Sequence, residues 1–396
     1  MLTKISESNI FKVIFILSGI MIIGKLFDED RLTSASFYLS FICVLLLWIL
    51  IFSSRPSKVD ILAISIIVIA LINSLITANK VATLDYFEKY ILFASSVLYL
   101  SISFRIKLTP KDVIFLQRFG FVLCGLVLLV FLLRQSACFY YTNTGVAYLT
   151  FGFSNPNATA LFLTCIGIHS IISLLSIPKK TAYFGALAVA IIWLYLLFLT
   201  KSRTALIVFV LFNLLAVFSW ARKKAFYPKN DVFYFIVSIM PILFATFYQI
   251  IFKLNMNVDG LDFLVSEGKS LSSRESVWQK AFSLISDNPI IGNYGYTYES
   301  KLQHMHNSHL EVASVYGIPV LLLVCALLYY ILINITKNNS KEVVSYLSKV
   351  GFISVLLLGI GEAALFAGGL SFYLLVGEFA TLANHNSAYD EVSINE

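Results

Sequence analysis

Histidine is scarce in this 396-residue chain, yet His304, His306 and His309, three of its five copies, fall within six consecutive positions. An imidazole titrates at about 6.5 and can take a proton from a hydroxyl group at neutral pH, so His306 is read as a candidate general base. Two other readings of the cluster stand beside this one. His306 and His309 are one helical turn apart with Glu311 nearby, a spacing that a metal ion can use. All three also suit the polar boundary where a helix enters a membrane. No metal ion and no cofactor is expected. Asn307 and His309, next to the candidate base, are candidates for contact with a substrate.

Two arginines are the second element of chemistry. Arg203 lies in the very short turn Lys201-Ser202-Arg203-Thr204 between two apolar runs, where a cation can meet a phosphate or act as an interfacial anchor. Arg274 stands in the first turn of a short helix, where the helix macrodipole disfavours a cation. A bound anion removes that conflict, and a guanidinium beside helix amides makes a bidentate pyrophosphate receptor. The plainer reading pairs Arg274 with Glu275 or another carboxylate. Tyr294, Tyr296 and Tyr298 follow in a turn set by Gly292 and Gly295. Their rings can stack on sugar rings or simply join an interfacial aromatic belt.

The elements that must position these residues are membrane spans. Apolar residues make up 59% of the chain and charged residues 13%, too few for an ordinary soluble surface. About twelve apolar runs are each of a length to cross a hydrocarbon core as a helix. They lie near residues 10–24, 35–53, 59–77, 90–104, 113–133, 157–176, 181–200, 204–220, 232–252, 309–334, 348–363 and 366–383. The fold class is therefore all-α and polytopic, as a single transmembrane domain over residues 1–396. Sixteen of the 29 basic residues fall in short segments on one side of this threading, among them Lys12, Arg55, Arg105 and Lys111, which makes that side cytoplasmic. Both termini then lie inside. The net charge of +7 reports this topology and attraction to membrane lipids, with no nucleic acid as partner. Four of the five cysteines fall inside spans and the fifth, Cys138, in an outer loop, so no external disulfide is expected.

Two outer segments exceed a tight turn: residues 134–157, rich in Tyr and Phe, and the large loop 253–308 between the ninth and tenth spans. The large loop carries a capping pattern, Ser272 with Glu275, then Val277, Trp278, Ala281, Phe282 and Ile285 at helical spacing. This predicts an amphipathic helix over about 273–286, stopped by Asp287-Asn288-Pro289, with its Trp against the membrane or the bundle. A second pattern, Ser308 with Glu311, is read as the start of the tenth span. Glu362 and Glu378, in or beside the last spans, are costly unless they face a polar interior or a basic partner.

Three stretches resemble the O-antigen ligase and O-antigen polymerase superfamily of bacterial surface-polysaccharide assembly. Leu199-Thr-Lys-Ser-Arg-Thr-Ala-Leu206 is similar to the family's Ser-Arg-Gly/Thr-Ala turn leading into a span. Arg274 through Trp278 to Asp287-Asn-Pro-Ile-Ile-Gly292 is similar to its Arg, Trp and Pro-hydrophobic-hydrophobic-Gly pattern. His306-Asn307 followed by Gly317-Ile-Pro319 is similar to its His-Asn and downstream Gly signature. Together they cover roughly residues 190–335.

The resemblance implies an inverting glycosyltransferase of the bacterial inner membrane with its site facing the periplasm. Its donor would be a glycan on undecaprenyl pyrophosphate, with neither a nucleotide sugar nor a metal. Arg203 and Arg274 would hold the pyrophosphate and His306 would activate the acceptor hydroxyl. Gly152-Phe-Ser-Asn-Pro-Asn157 resembles a stretch of repeat-unit polymerases, whereas Gly317-Ile-Pro-Val320 departs from the Gly-x-x-Gly form frequent in ligases. Polymerase is the preferred reading, with a lipid-linked repeat unit as acceptor and a chain-length regulator as a further partner. A ligase would use lipid A-core as acceptor. A third reading, a lipid-linked glycan transporter, shares the span count, but no internal repeat is found.

Overall fold

The computed structural model describes residues 6–27, 30–77, 84–141, 145–151, 153, 156–177, 179–222, 230–253, 272–295, 305–337, 342–361 and 370–384. A backbone surrounded by lipid must satisfy its polar groups within the segment, so a chain this apolar resolves into helices. In order these are α1 (Glu7–Phe27), α2 (Asp30–Ser54), α3 (Lys58–Thr77), α4 (Leu84–Ser103) and α5 (Pro110–Leu133). After them come α6 (Pro156–Leu175), α7 (Lys180–Thr200), α8 (Arg203–Arg222), α9 (Asp231–Lys253) and α10 (Ser272–Asp287). The chain continues with α11 (Ser308–Tyr316), α12 (Ile318–Lys337), α13 (Val343–Leu358) and α14 (Leu370–Ala383). Among the described residues nine helices, α1, α2, α3, α5 to α9 and α12, are long and apolar enough to cross a membrane. Between α5 and α6, within the outer segment 134–157, two short strands add a hairpin: β1 (Phe139–Tyr141) pairs antiparallel with β2 (Ala147–Leu149).

One end of the bundle is tied by ion pairs. Lys12 meets Asp112 at 2.8 Å, Arg55 meets Glu7 at 2.5 Å and Arg105 meets Asp60 at 2.6 Å. Arg105 also donates to the carbonyl of Arg55. These contacts gather the starts of α1, α3 and α5 with the ends of α2 and α4, the segments that the basic-residue pattern assigns to a common side. At this basic end a capping box between Thr109 and Asp112, with Pro110 in the first turn, starts α5. Glu378 of α14 is buried against His169 of α6 at 2.7 Å, so one of the two costly acidic residues has a basic partner. Glu362 lies outside the described residues.

The expected tenth span, 309–334, is not one helix. The chain breaks at Gly317, whose φ of +90° is open to glycine but costly for other residues. Before the break α11 is only nine residues, about 13 Å long. It starts inside the bundle, where Ser308 N–H donates to the Gly359 carbonyl at 3.0 Å. It ends at the far end, where Asn73 of α3 donates to the Tyr316 carbonyl at 2.7 Å. Beyond the glycine α12 runs back toward the basic end, where its Tyr330 packs on Phe104 at 6.2 Å. Hydropathy does not register the reversal, because both arms are apolar.

A second glycine makes the reversal tight. A Cβ on Gly317 would stand 2.1 Å from the Ile290 carbonyl oxygen, and one on Gly292, itself at φ +70°, 2.4 Å from the Val315 carbonyl oxygen. The Asp287-to-Gly292 turn thus lies backbone against backbone on the α11–α12 junction. Ile318 N–H donates to the Pro289 carbonyl at 2.8 Å, and Asn293 N–H to the Ser314 carbonyl at 2.9 Å. Side chains cannot relax a backbone clash. Gly317→Ala should therefore cost at least about 2 kcal/mol, from left-handed backbone strain plus displaced packing. A thermal melt of the purified protein is expected to drop by several degrees, while Ala at the open position Gly125 leaves it within a degree or so.

Candidate functional site

The start of α11 poses a problem of its own, because its first N–H groups have no partner within the helix and no bulk water beside them. Asn307, fully buried, solves it. Its side-chain oxygen accepts from the N–H of His309 at 3.1 Å and of Leu310 at 3.0 Å. Its amide nitrogen donates to the Pro241 carbonyl of α9 at 2.8 Å and to the Ile360 carbonyl at 3.0 Å. One side chain thereby caps a helix and joins it to two others. The capping pattern expected at Ser308 is thus displaced by one residue. Glu311, its expected partner, instead accepts from the Met305 N–H at 3.3 Å.

His309 is also turned inward. Its Nε2 lies 2.7 Å from the Ser238 carbonyl, so that nitrogen carries the hydrogen and donates it, and Nδ1 is left as an acceptor. Among the described residues nothing donates to Nδ1. His306 behaves differently. Met305 and residues 307–316 are all buried, whereas His306 is half-buried, and its φ of +49° places a side-chain-bearing residue in the left-handed region. Such strain survives only where the surroundings impose it, and it is found preferentially at functional sites. The Asn307 cap that follows fixes the backbone here, and this imidazole keeps partial exposure in a run that is otherwise buried.

The helix expected over 273–286 forms as α10, Ser272–Asp287. Its Trp278 donates from Nε1 to the Met305 carbonyl at 2.8 Å, one residue before His306. The indole stands edge-on to Phe244 at 6.3 Å and Tyr248 at 5.5 Å, both of α9. Ala281 and Leu284 pack with it against Ala245, Met305 and Leu310. Position 274 is one helical turn before Trp278, on the same side of α10. The side chain of Arg274 lies outside the described residues, as do Tyr296, Tyr298 and His304.

Tyr294 is buried, tilted on Tyr316 at 5.8 Å, and its N–H donates to Thr77 at 3.2 Å. The structure therefore places Tyr294, Asn307 and His309 inside the packing and leaves His306 toward the open side. Arg203 begins α8 two residues after Lys201, a left-handed residue at φ +60°, and is exposed. It lies at the end of α8 remote from Trp220, which packs on Tyr183 at the start of α7 at 4.8 Å. This is the far end of the bundle, and α8 runs alongside α13, whose terminal Gly359 holds Ser308.

Asn307 is the residue whose role sequence reasoning missed. The available signal was local: Asn directly before a helix start is a strong N-cap. Asn307→Ala should remove two cap bonds and strand the Pro241 and Ile360 carbonyls, a loss of at least about 2 kcal/mol. Hydrogen exchange is expected to speed up over 305–316 while the α1–α5 end keeps its protection.

A family model described as O-Antigen ligase matches residues 186–325. No curated protein and no solved structure gives a significant match. The matched stretch opens within α7, contains Arg203, Arg274, His306 and both tight glycines, and closes within α12. The match over residues 186–325 supports the resemblance of this part of the chain to the O-antigen ligase and O-antigen polymerase superfamily.

Proposed function

We propose that this protein is a glycosyltransferase of the bacterial inner membrane that polymerises oligosaccharide repeat units carried on undecaprenyl pyrophosphate, working at the periplasmic face. The observation that carries the reading is His306, an accessible, strained imidazole in a buried run, inside the segment that matches the O-antigen ligase model. His306 takes the proton from a hydroxyl of the acceptor sugar. The freed oxygen bonds to the anomeric carbon of the donor, and the bond from that carbon to the pyrophosphate oxygen breaks. Undecaprenyl pyrophosphate leaves with the electron pair, and one displacement inverts the anomeric centre. Charge grows on the leaving pyrophosphate, which is the role assigned to Arg274 on α10 and Arg203 on α8.

The basic residues in short segments support the orientation, with the far end of the bundle outside. The stretch Gly152-Phe-Ser-Asn-Pro-Asn157 supports a polymerase, whose acceptor is a second lipid-linked repeat unit. The description of the matching model favours a second reading, a ligase that moves the glycan to lipid A-core. The lipopolysaccharide of a deletion strain separates them on a gel: core bearing one repeat unit indicates a lost polymerase, and bare core with carrier-linked polymer a lost ligase. A normal ladder would contradict both.

Lysine keeps the charge of arginine but loses its bidentate fork. Arg274→Lys is therefore expected to cut turnover by about tenfold or more, measured as glycan extended per unit of purified protein. A wild-type rate would remove Arg274 from the pyrophosphate site.

A further inference from the structure

The flank of α10 beside the Trp278 face forms a groove against the end of α9, with a volume of about 460 Å³. Thr246, Gln249 and Ile250 line it from α9; Gln279, Phe282, Ser283 and Ser286 line it from α10. The four α10 residues follow helical spacing and form one stripe, so the helix presents them together. No charged side chain lines the groove among the described residues. Gln249 is only 6% exposed, and its amide nitrogen has no hydrogen-bond partner among the described residues.

A buried donor without an acceptor costs about 1–3 kcal/mol, which favours an occupant that supplies an oxygen acceptor. An acyl chain would leave that cost in place, and a phosphate would find no cation among the described lining residues. Amides, hydroxyls, one aromatic ring and the aliphatic Ile250 match instead a ligand that is neutral, bears hydroxyl groups and is apolar on one face, and the volume lies in the range of small-molecule sites.

We infer that this groove is a glycan-binding subsite that holds one neutral sugar residue of the substrate chain, with Gln249 and Gln279 as its polar contacts. The assignment of the sugar to the lipid-linked substrate rests on the function proposed above; the choice of a neutral, hydroxyl-rich ligand rests on the lining. One helix thus serves two tasks. The Trp278 face of α10 props the backbone beside His306, and the adjoining flank holds the chain some residues away from the reacting bond.

The test is saturation-transfer NMR on the full-length protein in lipid nanodiscs, with methyl glycosides of neutral hexoses and N-acetylhexosamines as probes and methyl phosphate as the anionic control. At least one glycoside should take up saturation. Its signal should fall about fivefold or more in Gln249→Leu and persist in His306→Ala. Where Gln249→Leu does not fold, Gln279→Leu, at an exposed position, decides by the same criterion. Saturation of no glycoside, an equal signal in the deciding variant, or stronger saturation of methyl phosphate would overturn the subsite. Turnover of His306→Ala is read separately. A wild-type rate there, with glycoside binding lost in the groove variant, would sink the proposed reaction and leave the subsite standing.

Discussion

Everything at this site depends on a helix that begins where water does not reach. The first N–H groups of α11 must be satisfied inside the bundle, and the side chain of Asn307 does this with four hydrogen bonds, two received and two donated. The same bonds fix the depth at which the chain turns, because the partners are backbone carbonyls of α9 and of the Ile360 turn. Asparagine suits the task, with an acceptor oxygen and a two-hydrogen donor on one planar group. His306, the residue before it in the chain, inherits its position from this anchor and its strained φ from the need to turn at once.

Two further constraints complete the frame. Trp278 holds the Met305 carbonyl from the other side, so the backbone of His306 is fixed both before and after it. The contact of Gly292 with Gly317 lets the turn after α10 lie directly on the α11–α12 junction, and Asn73 of α3 bonds to both partners, at the Ile290 and Tyr316 carbonyls. The amphipathic helix outside the spans and the short helix inside them are therefore parts of one unit. It joins the loop to α3, α9 and the end of α13. Placement of His306 thus comes from rigid elements rather than from a long loop.

Much of this was legible in the sequence. Long apolar runs compel helices, and α10 was legible from its stop signal and the spacing of Trp278, Ala281 and Ile285. His306 was legible from rarity and clustering, though not its difference from His309, which comes from the direction each imidazole takes once α11 is fixed. The break at Gly317 was not legible. The run 309–334 is apolar on both sides of it, and the reason for the glycine lies at Ile290, which only the folded chain brings near. The depth of Asn307 escaped for the same reason, since its partners Pro241 and Ile360 are 66 and 53 residues away. Tyr294 belonged by composition to an aromatic turn, and its burial against Tyr316 follows from that nonlocal docking.

The most direct measurement is the release of undecaprenyl pyrophosphate, coupled to glycan extension, by purified protein given a lipid-linked repeat unit, with His306→Ala compared with the wild type. Loss of a positioned general base should slow the reaction by about 10²–10⁴-fold while the variant keeps its fold and its melting temperature. An unchanged rate in His306→Ala would contradict the account.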